Sequence, residues 1–191
     1  IGAASSPGMS GLLVRNMSKA FDSIDEVHIA LHGTGGPACA RQHHRALSGQ
    51  SIGWHDGKWL RRPAGSGREL CWFPEPVGAY DCYRGELPDP LLIKRAFPEL
   101  IRVTARVSAT RRDRVFARMP MLIPPRAEGG MGGLRVEVRG TKNGERVVDV
   151  VGVAERVGQL AGVVSGCVAR SISVGEIAQS GAFVLGESDL P

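Results

Sequence analysis

The chain has 191 residues, 42% hydrophobic and 23% charged, which suits one globular domain and excludes a disordered or low-complexity polypeptide. Its formal net charge of +5 rests on 20 Arg and 4 Lys against 19 acidic residues. These are scattered with no long basic block, so a solvated surface is expected and a nucleic-acid groove is not. No apolar run nears the roughly 18 residues of a membrane span and no leader is visible, so neither nucleic acid nor membrane is expected as a partner. Cys39, Cys71, Cys82 and Cys167 lack C-x-x-C spacing, which argues against a zinc ribbon or redox dithiol and for free thiols in a reducing cytoplasm. The chain opens on Ile1 and reads as a piece of something longer.

Residues 1–21 read as a strand end, a tight turn and an amphipathic helix. Ser6 is placed to cap that helix through its hydroxyl, with Pro7 at the first helical position and Gly8 allowing a close approach. Met9, Leu12, Leu13, Met17, Ala20 and Phe21 then share one stripe. A small-residue turn aimed into a helix N-terminus suits an anionic or polar ligand, although an ordinary strand-to-helix connection has the same pattern. Val27 to His32 alternates as a strand, with His28, Ala30 and His32 on one face. On a strand those two histidines start roughly 13 Å apart, too far to share a metal ion. His32, beside Gly33-Thr34-Gly35-Gly36, is the better site candidate. That loop lacks the G-x-G-x-x-G spacing and a matched ribose-binding acid, so it reads as a substrate-side loop. On the helix that follows, over 38–47, Arg41 and His44 share a face and can hold a carboxylate. His43 and His44 diverge by about 100° and are not expected in one pocket.

Ser51 to Arg62 reads as a hairpin turning at Asp56-Gly57. Strands follow at Glu69–Phe73 and Ala79–Tyr83, and three Trp and both Tyr fall between positions 54 and 83. These aromatics suit a sheet face or a ligand cleft. A short helix starts at Pro88-Asp89-Pro90, and Ile101 to Val107 alternates as a strand. Thr110 can cap a helix through about Met121, and the stretch 124–133 is the least regular. Leu134–Gly140 and Arg146–Val153 flank Asn143-Gly144 as a long hairpin. In the last helix Gly158, Gly162 and Gly166 form a four-residue ladder, for which a backbone-tight contact is the simplest account. No nucleophile–base pair, carboxylate dyad or metal cluster stands out, so catalytic residues stay unassigned and no metal is expected. Helices and strands in this order give an α+β domain with a mixed, mainly antiparallel sheet.

Gly2-Ala3-Ala4-Ser5-Ser6-Pro7-Gly8-Met9-Ser10 resembles the segment that, in the saccharopine dehydrogenase family, closes the Rossmann domain and opens the catalytic domain. Gly33-Thr34-Gly35-Gly36-Pro37-Ala38 resembles the loop that follows the same helix in saccharopine reductases. Those reductases next carry Asn-Pro-Leu, where this chain has Ala40-Arg41-Gln42-His43-His44. The resemblance implies a catalytic domain of the glyceraldehyde-3-phosphate dehydrogenase-like type. Residues 1–22 would end a Rossmann domain and supply the linking helix, 23–172 would bind substrate and dimerise, and 173–191 would return to the Rossmann domain. It further implies NADP or NAD as cofactor of the full-length parent, not bound by this chain alone. Ser5, Ser6, Gly8 and Met9 would lie at the nicotinamide end, with His32, Gly33, Gly35, Gly36, Arg41 and His44 on the substrate side. The implied partners are the chain's own N-terminal Rossmann domain, a second copy and a small-molecule substrate. A ligand-binding or interaction module without chemistry is the alternative.

Overall fold

The computed structural model describes residues 2–123 and 129–188. In chain order the elements are α1 (Met9–Ser18), β1 (Ser23–His32), α2 (Pro37–Ala46), β2 (Gln50–His55), β3 (Lys58–Pro63), β4 (Glu69–Trp72), β5 (Ala79–Arg84), α3 (Asp89–Ala96), β6 (Arg102–Ser108), α4 (Arg111–Phe116), β7 (Met131–Lys142), β8 (Glu145–Arg156) and α5 (Val157–Ser173). A 3-10 turn, Leu185–Glu187, closes the described chain. The strands form one sheet in the order β3-β2-β6-β1-β7-β8. Among the described strands β1 and β6 run parallel; the other pairings are antiparallel. One edge of β6 serves two partners, β2 at Arg102–Val103 and β5 at Arg106–Ser108. The domain is therefore α+β with a mixed, mostly antiparallel sheet, as the order of elements predicts. Asp56-Gly57 and Asn143-Gly144 both take positive φ, the twist-matched geometry of two-residue hairpin turns.

Alternation divides the sheet into a dry and a wet face. On the dry face Val27, Ile29, Val103, Ala105, Leu134, Val136 and Val138 pack against Val14 and Met17 of α1 and Ile93 of α3. The wet face carries a charged lattice. Glu26 reaches His28 at 3.0 Å and Arg102 and Arg139 at 3.6 Å, while Glu137 meets Arg135 and Arg139 at 2.6 Å. Burial opposes ionisation of Glu137, but hydrogen bonds and charge from both arginines outweigh it and hold its carboxyl below the usual range. At the far end of this face the β4–β5 hairpin folds over Ala30, burying Cys71, Phe73 and Cys82. Glycines make room for it: a Cβ on Gly133 or Gly152 would come within 2.7 Å of Phe73 or Pro74.

Several local expectations change. Gly8, not Ser6, is the N-cap of α1, and no side chain caps it. The Ser6 hydroxyl instead donates to Asp89 at 2.5 Å, so the turn is spent on tertiary contact. Thr110 caps α4 through a reciprocal box with Asp113, but the helix stops at Phe116. Pro120 accounts for that, because its ring opposes a helical carbonyl four residues back. In the irregular stretch, 124–128 lie outside the described residues, and Gly132 and Gly133 belong to β7. The glycine ladder is not a packed seam: a Cβ on Gly162 or Gly166 would meet nothing within 4 Å. The inner side of α5 is instead Val164 and Val168, against Ile177 and Leu185 of the tail.

Candidate functional site

His32 ends β1 and Ser108 ends β6. Because these two strands are parallel neighbours, both residues arrive at one rim, and in open α/β sheets ligands favour the carboxyl ends of parallel strands. His32 Nδ1 lies 2.9 Å from Ser108 Oγ. The ring sits 3.9 Å from that of Tyr80, brought over by β5, and 5.9 Å from that of Phe73. Beyond His32 the chain turns sharply at Gly33, whose φ is +84° and whose Cβ, if present, would lie 2.8 Å from Gly132 Cα. Only glycine fits both demands. Gly36, at φ +134°, caps α2, and Pro37 opens it. From α2, His43 turns inward beside Ser108 and lines both cavities of this rim.

Two cavities meet at this rim and share His32, Gly33 and His43. The narrow one, about 130 Å³, is lined also by Ser5, Ser6, Cys39 and Leu160. The wide one, about 650 Å³, opens past Tyr80, Ser108, Thr110 and His44 to the Arg68–Asp81 ion pair at 2.9 Å. Burial lowers the pKa of His32, and the neighbouring His43 adds to that. Burial also dominates at His43, with His44 adding to it against the pull of Asp113 and the Ser108 backbone. Both imidazoles are therefore neutral near pH 7, each offering one donor and one acceptor. With Nδ1 taken by Ser108, Nε2 is the ring nitrogen of His32 left to a ligand. Asp113 is engaged by Thr110 and Asp81 by Arg68, so the neutral imidazoles at the rim are placed to hydrogen-bond a polar ligand.

Of the residues singled out from sequence, Ser5, Ser6, His32 and Gly33 line the narrow cavity and His32, Gly33 and His44 the wide one. Gly35 packs on the start of α5, where its Cβ would lie 3.0 Å from Gly158 N. Gly8 lies against Ala4 (2.7 Å from a Cβ to Ala4 O), and Met9 packs among Leu12, Val164 and Leu185; neither lines the two cavities. Arg41 is exposed on an outer groove that it shares with His44, whose Nε2 is 2.7 Å from Met119 O. His43 and His44 do both line the wide cleft, against expectation, because the cleft wraps the edge of α2 and spans their 100° divergence. His43, Ser108 and Tyr80 are the members that sequence patterns pass over. The usable signal for His43 is its place on the stripe of the buried Ala40 and Leu47.

Among the described residues no three His, Cys, Asp or Glu side chains are grouped to hold a metal ion. A nicotinamide cofactor is a different matter. The narrow cavity, apolar at Leu31, Val107, Leu134 and Val157 and lined also by Ser5, Ser6 and Glu155, fits the edge of a planar ring. The Gly33–Gly36 loop is spent on Gly132 and Gly158 and is no pyrophosphate cradle.

No protein-family model and no curated protein sequence matches the chain. Its fold is similar to that of apo saccharopine dehydrogenase (L-Glu forming) from Saccharomyces cerevisiae, with a TM-score of 0.64 and 13% identity. The match covers 94% of this chain and 66% of that protein. The likeness extends over nearly all of the present α+β fold, and a third of the yeast protein has no counterpart in it.

Proposed function

We propose that the chain is the substrate-binding domain of a saccharopine dehydrogenase-like NAD(P)-dependent oxidoreductase, inactive on its own. The observation that carries this reading is the meeting of the narrow cavity, lined by Ser5 and Ser6, with the wide cleft at His32. A ring edge in the first and a carbonyl or imine in the second would meet beside that imidazole. A bound nicotinamide would supply hydride chemistry. This chain's own part is to orient the substrate through Tyr80, Ser108 and His43 and to hold or accept one proton at His32 Nε2. The fold neighbour's name supports an amino- or keto-acid-like substrate. The partner domain would be a dinucleotide-binding unit joined at residues 2–8, whose backbone folds back on itself through the Met9 N to Ala4 O bond.

Calorimetry with NADPH and NADH tests this on the chain alone and on the chain joined to such a unit. The joined protein is expected to bind one of them and to turn over an amino-acid/keto-acid pair, with loss of turnover in His32→Ala. The chain alone is expected to bind no better than about millimolar. Submicromolar binding to the isolated chain would overturn the assignment, and tight binding without turnover would favour a module without chemistry.

A further inference from the structure

Apolar side chains crowd one short exposed segment. Val115, Phe116, Met119, Leu122 and Ile123 all face solvent, and Leu122 and Ile123 each keep 86% of their surface exposed. The core makes no use of them: α4 buries no residue, and the segment's buried member is Ala117, against Leu47 and Val107. Single exposed apolar residues are ordinary, whereas a contiguous cluster marks a contact surface.

The charge around this cluster has one sign. Residues 111–123 hold four arginines and one acid, Asp113, which is engaged in the Thr110 cap. Arg114 points inward, 4.1 Å over the Tyr83 ring, but Arg111, Arg112 and Arg118 are exposed. Between residues 117–121 and α2 runs a groove of about 390 Å³ walled by Arg41, Arg45, Arg118, Ser48 and His44, with no carboxylate among its described lining residues. The groove and the apolar tip are contiguous, since Met119 and Met121 line the one and flank the other.

We propose that this surface docks the protein on an anionic membrane, with lipid phosphates in the arginine groove and Leu122 and Ile123 entering the hydrocarbon boundary. A leaflet sets a phosphate layer directly above an apolar one and so meets both halves of the surface at once. An acidic protein face would meet only the arginines. Docking of this kind needs no spanning helix, and no helix of the described residues is long and apolar enough to be one. Met121 also lines the wide cleft, so the cleft mouth would lie at the headgroup layer.

Co-sedimentation of the chain at low salt with vesicles of phosphatidylcholine alone, and of phosphatidylcholine mixed with phosphatidylglycerol, tests this. Binding is expected to the mixed vesicles and about tenfold weaker, or absent, with the neutral ones. The double variants Leu122→Glu/Ile123→Glu and Arg41→Glu/Arg45→Glu are each expected to lose about tenfold or more. Both sites are on the surface, and unchanged melting temperatures will show that the fold is intact. Val174→Glu, at an exposed valine after α5, is expected to bind like the wild type. No binding to the mixed vesicles overturns the proposal. So does binding that survives loss of Leu122 and Ile123 but not of the arginines, which would mark a polyanion site.

Discussion

Ser6 Oγ donates to Asp89 Oδ2 at 2.5 Å, across 83 residues of chain. Ser10 donates to the other carboxylate oxygen at 2.7 Å, and Asp89 is only 1% exposed. This small buried cluster ties the segment that walls the narrow cavity to the first turn of α3. Burial pushes the Asp89 carboxyl above its usual range, against the hydrogen bonds from Ser10 and Ser6 that favour its ionised form.

The pH dependence follows from that direction. The folded chain holds the Asp89 proton more tightly than the unfolded chain does, so this group lowers stability as pH rises from about 4 toward neutrality. Asp89→Asn keeps an acceptor for one serine and removes the charge. It is expected to be at least as stable as the wild type at pH 7 and to flatten that decline. Asp89→Ala leaves the buried Ser10 hydroxyl without its partner and is expected to cost about 1–3 kcal/mol. Urea unfolding at pH 4 and pH 7 checks both. A large loss in Asp89→Asn at pH 7 would show that the charge itself holds the turn.

Glycines separate in the same experiment. Gly162→Ala places its methyl in open space on an exposed helix, so it is expected to stabilise by up to about 1 kcal/mol. Gly132→Ala would drive a methyl into Val157 and to 3.0 Å from His32 O, and is expected to cost about 1–3 kcal/mol. Equal midpoints for the two variants would contradict the packing described at the rim.

The contrast between these glycines shows where sequence pattern stops. A four-residue spacing says that Gly158, Gly162 and Gly166 share a face of α5; which face meets the core is decided by Val164 and Val168, two positions along and so on the other side of the helix. Turn chemistry, by contrast, is local, so Asp56-Gly57 and Asn143-Gly144 are read correctly without tertiary information. The same division runs through the site. His32 is legible because a strand ends there against glycine. Ser108 and Tyr80 are not, because they reach His32 only through the parallel β1–β6 pairing and the fold-over of the β4–β5 hairpin, contacts spanning tens of residues.

The two inward histidines predict an acid limb. Both prefer the neutral form in the folded chain, His32 facing His43 and Tyr80, and His43 facing Asp113 and His44. Their contribution is complete above the ordinary imidazole pKa of about 6.5 and declines as pH falls below it. Ring resonances of His32 and His43 should thus titrate below that value by NMR, and His43→Asn should flatten the acid limb of stability. In Ser108→Ala the Nδ1 partner is gone, and the His32 tautomer ratio is expected to move while the ring stays neutral near pH 7. Ordinary titration of both rings in the wild type would refute the description of the rim.

Among the described residues β8 pairs with β7 alone, which leaves its outer edge without a described partner strand along 12 residues. At about 3.4 Å per residue that is ~40 Å of unpaired backbone, a template for another strand unless it is covered. On the wet face Val148 and Val150 stand 56% and 48% exposed, opposite Arg139 and Glu137 in register. A patch that mixes bare valines with both signs of charge can meet its own copy across a twofold axis. A stable dimer needs about 800 Å² from each partner, which an edge of this length with the adjoining wet face can supply. We therefore expect light scattering to report a dimer at micromolar concentration. Val148→Asp/Val150→Asp should weaken it about tenfold or more, by placing new carboxylates at the patch and next to Glu137. Gly162→Ala, on α5, should leave it unchanged. A wild-type chain that stays monomeric at tens of micromolar would rule out this face as the dimer contact.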